Sequence, residues 1–61
     1  MTKSEKLVFD EIKKNNNLTH KQIAANISKS EKTVYRAIKL LKEKGLIIRI
    51  GDDYNGHWQL Q

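Results

Sequence analysis

The chain contains no cysteine and no proline. Without thiols there is no disulfide staple, no thiolate to ligate a metal and no cysteine nucleophile. Without proline there is no proline kink or stop, so element ends must be read from caps and polar breaks. The three glycines read as turn and cap residues and form no glycine-rich phosphate loop. The two histidines, His20 and His57, have no patterned partners, so no metal site is expected. Long apolar runs are missing too. None approaches the ~20 residues needed to span a membrane, and MTKSEKLVFDEIKK is too charged for the apolar region of a signal peptide. A cytoplasmic protein with no membrane partner is expected. Sixty-one residues allow a single domain, 1–61, with one small core, since a chain this short buries only about 60% of its unfolded surface.

What is present is positive charge. Twelve Lys and Arg stand against seven Asp and Glu, giving a formal net charge of +5 and a sequence pI near 9.7. The basic residues concentrate between positions 30 and 49, where Lys32, Arg36, Lys39, Lys42, Lys44 and Arg49 face only Glu31 and Glu43 in opposition. Such a surplus favours a polyanionic partner, because lysine and arginine neutralise phosphates and release condensed counterions. The pair Asp52-Asp53 makes a local acidic patch instead.

The pattern predicts three helices and a hairpin. The first helix covers 3–14. Thr2 and Glu5 have capping-box spacing, and Leu7, Val8 and Ile12 form an inward stripe with Phe9 at its edge. Asn15-Asn16-Asn17 breaks the pattern. The second helix covers 20–27, opened by a Thr19/Gln22 capping box with Leu18 and Ile23 as a hydrophobic staple. Ile23, Ala24 and Ile27 face inward, and Leu18 adds a very short strand to the hairpin edge. After the turn Ser28-Lys29, Ser30 caps a third helix over 31–44. At roughly 100° per residue, Val34, Ala37, Ile38 and Leu41 share one side, and Lys32, Arg36, Lys39 and Glu43 fall opposite. Gly45 ends that helix in a left-handed conformation. The hairpin covers 46–60. Leu46, Ile48 and Ile50 are expected on the core side and Arg49 on the outward face, with Trp58 and Leu60 turned to the core across the Gly51–Gly56 turn.

These residues resemble the winged-helix branch of the helix-turn-helix superfamily, and in particular small bacterial, archaeal and phage regulators of the MarR and Lrp/AsnC type. The matching string is I-A-x-x-I-x-x-S-x-x-T-V-x-R-x-I-x-x-L-x-x-x-G-L-I, from Ile23 to Ile47, followed by a wing closing in G-x-W-x-L, Gly56 to Leu60. The resemblance implies an α+β winged helix-turn-helix, a three-helix bundle with a C-terminal β-hairpin wing. There are departures. Ser28 replaces the usual turn glycine, which makes a left-handed backbone costlier. Lys29 replaces an apolar residue and must lay its stem over the core edge. Asp52 and Asp53 stand where basic residues would aid phosphate contact. No dimerisation helix or effector domain is expected beyond the wing. Leu18 to Ala24 and Trp58 also resemble Z-DNA-binding domains. Those present Asn and Tyr where this chain has Tyr35 and Lys39, and their wing carries prolines, so Z-form recognition is not expected.

The resemblance implies sequence-specific binding of B-form double-stranded DNA, with the third helix in the major groove, in transcriptional regulation. Arg36 is the strongest contact candidate, because it can read guanine with two hydrogen bonds; the plainer alternative is a solvated helix arginine. Lys32 and Thr33 read bases or position the helix, although Thr33 is as readily a packing residue. Lys21, Ser30, Lys39 and Arg49 hold phosphates. Tyr35 stacks, bonds a phosphate or packs under the wing, and Trp58 belongs to the core. A module this small needs a homodimer or tandem units for high specificity. No cofactor, small-molecule ligand or catalytic set is implied. The competing reading is a protein-docking module in a larger assembly, since fold does not fix function.

Overall fold

The computed structural model describes residues 1–52 and 55–61. The order is α1 (Lys3–Lys14), α2 (His20–Ile27), α3 (Glu31–Glu43), β1 (Ile47–Ile50) and β2 (His57–Leu60). The two strands pair antiparallel with Arg49 opposite Trp58. This is the α+β arrangement of a winged helix, three helices followed by a hairpin. No helix among the described residues is long and apolar enough to cross a membrane.

Local chemistry sets each helix start. The Thr2 hydroxyl accepts from the Glu5 N–H at 3.2 Å, and the Glu5 carboxylate accepts from the Thr2 N–H at 3.3 Å. Thr19 and Gln22 repeat the exchange at 3.2 and 2.9 Å. Each box satisfies orphan donors of a first helical turn. Ser30 Oγ caps α3 by accepting from the Thr33 N–H at 3.1 Å.

The stops are equally local. Ser28 ends α2 at φ 57° and ψ 42°, a left-handed conformation for a residue with a Cβ. Its geometry lets the Lys29 N–H reach the Ala24 carbonyl at 3.0 Å. Gly45 ends α3 at φ 73°, and the Leu46 N–H closes on the Leu41 carbonyl at 3.0 Å. In the hairpin turn, a Cβ on Gly56 would collide with the carbonyl oxygens of Ile50 and Asp52, so only glycine fits. The expected turn also contains Asp53 and Tyr54, which lie outside the described residues.

One core joins all five elements. Val8 and Ile12 of α1, Ile23 and Ala24 of α2 and Val34, Ala37, Ile38 and Leu41 of α3 meet Ile47 and Trp58 of the hairpin. Phe9, Leu18, Ile27 and Leu46 pack on its edge. Trp58 is 1% exposed, and its indole N–H donates to the Leu18 carbonyl at 2.9 Å. The Trp58 backbone N–H donates to the Asn16 carbonyl at 2.7 Å. The Asn16 carbonyl therefore holds the backbone of β2 and the Leu18 carbonyl holds the Trp58 side chain, and Leu18 forms no strand, contrary to the sequence expectation.

Three other expectations change. The inward stripe of α1 is Glu5, Val8 and Ile12. Leu7 lies roughly 130° round the helix from its centre and is only half-buried. Second, the alternation of β1 is reversed. Ile47 is buried, while Ile48 and Ile50 are exposed. Leu46 is held by its bond to Leu41, so Ile47 is the first residue turned under the sheet and Arg49 follows on that same face. Third, Leu60 shares the face of Trp58 and pairs with the buried Ile47, yet is itself exposed.

Candidate nucleic-acid interface

Helix α3 is buried along Val34, Ala37, Ile38 and Leu41. Its opposite side carries Lys32, Arg36 and Lys39, all exposed. Three cations one turn apart thus share one ridge, because residues three and four apart are helix neighbours. The ridge cannot rotate away, since α1, α2 and β1 all hold the other side of the helix.

The remaining candidates divide around this ridge. Ser30 and Thr33 are tied together at the N-terminus, with their hydroxyls 2.9 Å apart. Thr33 is half-buried and lies on the α1 flank, beside Thr2, Ser4, Arg36 and Leu40. Lys21 is exposed in the first turn of α2. It borders a small groove with Thr19, His20, Glu31 and Tyr35, so it lies beside the start of α3.

Arg49 is elsewhere. It does not project outward from the wing, as the sequence pattern suggested. Its guanidinium carbon sits 4.8 Å from the centre of the Trp58 ring, a cation–π contact. Its Nε and Nη2 donate to the Asp52 carbonyl at 3.2 and 3.1 Å. The reversed phase of β1 is the cause, because position 49 faces its cross-strand partner Trp58.

Several contributors escaped the sequence reading. His20 stacks on Tyr35 with ring centres 4.1 Å apart and planes 16° from parallel. The edge of His20 also meets Trp58, at 5.4 Å and 75°. Lys42 places its ammonium 5.6 Å from the Trp58 ring. It lies seven residues after Tyr35, two helical turns along the same flank, and that spacing was legible. An open groove of about 430 Å³ follows, lined by His20, Tyr35, Arg36, Ile38, Lys39 and Lys42.

Behind the ridge, Glu5 is 2% exposed and its carboxylate takes a hydrogen bond from Lys44 Nζ at 2.6 Å. That bond holds the Glu5 carboxyl below the usual glutamate range, against the opposing push of burial. The pair ties the start of α1 to the end of α3.

Among the described residues no cluster of three or more His, Cys, Asp or Glu could hold a metal ion. The arrangement offers hydrogen-bond donors, positive charge and one exposed stacked ring, which suit a polyanion with planar groups. A family model described as winged helix-turn-helix DNA-binding matches residues 1–48. That span takes in all three helices and the start of β1. No curated protein and no solved structure matches the chain.

Proposed function

The chain belongs to the winged helix-turn-helix DNA-binding family, and we propose on that footing that it reads B-form duplex DNA sequence-specifically, as a transcriptional regulator. Helix α3 enters the major groove. Arg36 and Lys32 meet base edges, and Thr33 positions the first turn from the α1 flank. Ser30, Lys21 and Lys39 hold phosphates on either side. Arg49 supplies fixed positive potential from the wing rather than a reaching side chain, because its guanidinium is braced on Trp58 and Asp52. Two copies on a symmetric site extend the limited footprint of one module.

The observation that supports this reading is the ridge of Lys32, Arg36 and Lys39 on the exposed side of a helix held on its other side by the rest of the fold. Fluorescence anisotropy on mixed-sequence duplex DNA across a salt series tests it. Affinity should fall steeply with salt, with a slope near −0.9 per neutralised phosphate. Arg36→Ala should weaken binding by about 1–3 kcal/mol while leaving the fold intact. Absence of binding at low salt by the wild-type chain overturns the reading and turns attention to an acidic protein surface as partner.

A further inference from the structure

Tyr35 plays no part in the duplex reading above, yet its ring is exposed and stacked on a neighbour. It is 56% exposed, and one of its faces is covered by His20 at 4.1 Å. The opposite face must therefore supply much of that exposure. His20 is itself backed by Trp58, and Trp58 is anchored through its indole N–H to Leu18. A three-ring series thus runs from the core to the surface and ends in an open phenol face. An isolated surface tyrosine loses rotamer freedom when it stacks on a ligand. Here His20 has already restricted the ring.

The ring also stands in a charged setting. Arg36, Lys39 and Lys42 line the same groove of about 430 Å³. A flat apolar face beside three cations matches one chemical unit, a planar base carried on phosphates. A fully paired duplex hides its base faces and offers that unit only at an end, a bulge or a distorted step.

We propose that the groove beside α3 holds one unpaired DNA base, stacked on Tyr35, with its flanking phosphates on Lys39 and Lys42. The site rests on the duplex-binding reading, since the paired arms supply most of the affinity. It adds a preference for duplexes containing an unstacked nucleotide. His20 covers the other face of the ring and holds it in place.

The test compares two duplexes of the same sequence, one fully paired and one with a single bulged thymine. Anisotropy should show about tenfold tighter binding of the bulged duplex, in the range of one base–aromatic stack. Tyr35→Ala should abolish the preference, so that the two duplexes bind alike. Tyr35→Phe should retain it, because the face and not the hydroxyl makes the contact. With 5-iodouracil at the bulge, irradiation should crosslink the base to Tyr35, located by peptide mass spectrometry. Circular dichroism checks that each variant is folded. Equal affinity for both duplexes overturns this proposal alone, provided that the paired duplex binds. A preference that survives Tyr35→Ala, or one lost equally in Tyr35→Phe, also overturns it. Failure to bind either duplex removes the duplex reading and this site together.

Discussion

Replacing Ser28 with glycine should make the fold more stable. Ser28 is held at φ 57° and ψ 42°, a region that costs an ordinary L-residue about 1–2 kcal/mol. Glycine removes that cost but gives the unfolded chain more freedom, which offsets roughly 0.5–1 kcal/mol. The serine side chain is exposed, so its loss takes little packing with it. The expected net gain is about 0.5–1 kcal/mol. A domain of this length has a total stability of roughly 3–9 kcal/mol, so the gain is a measurable fraction. In a thermal melt it corresponds to a rise of about 4 °C. Circular dichroism melts at pH 7 of the wild type, Ser28→Gly and Ser28→Ala provide the measurement. Alanine retains a Cβ and should show no gain. A midpoint for Ser28→Gly at or below wild type, or a matching rise for Ser28→Ala, would refute the assignment of strain to this residue.

Gly45 offers the converse experiment. It sits at φ 73° with open space where a Cβ would lie, so Gly45→Ala should cost about 1 kcal/mol from backbone strain alone, read as a lower urea midpoint. Acid should weaken the link between α1 and α3. The folded-state carboxyl of Glu5 titrates below its usual range because Lys44 donates to it, so its stabilisation is complete above the unfolded-state pKa and is lost as pH falls through the folded value. Glu5→Gln keeps an oxygen for the Thr2 cap but loses the charge, and melts between pH 7 and pH 2.5 should show a smaller acid-induced drop than wild type. Trp58→Phe removes the donor to the Leu18 carbonyl and the larger ring under Arg49 and Lys42. It should lower stability by about 2 kcal/mol, seen in chemical denaturation.

What the sequence revealed of the fold follows the range of the interactions involved. Caps were legible because each is complete within three residues, as in Thr2 with Glu5 and Thr19 with Gln22. The left-handed stop at Ser28 was legible as a departure from the glycine usual in a resembling string. The apolar stripe of α3 was legible because thirteen residues sample more than three helical turns and fix one phase. The bond from Lys44 to Glu5 spans 39 positions, and no local pattern announces it. Glu5 had already been assigned a task as a capping residue, and nothing in its neighbours showed that the same carboxylate has a second oxygen to satisfy.

The wing shows how such an ambiguity reaches the candidate interface. Leu46, Ile47 and Ile48 are three apolar residues in a row, so period-two alternation permits either phase. A four-residue strand is too short for the remaining positions to decide. The choice is made outside the strand, by the Leu46 bond to Leu41 and by the register that sets Arg49 against Trp58. Because one step of phase moves every side chain to the other face, the same choice exposes Ile48 and Ile50 and turns Arg49 onto the indole. An arginine free in solvent adapts to whatever phosphate approaches. One braced on a ring and a backbone carbonyl offers its charge at a fixed place. In the proposed function the wing therefore acts through geometry as well as charge. The α3 ridge does not depend on that choice, because its phase is set within the helix itself.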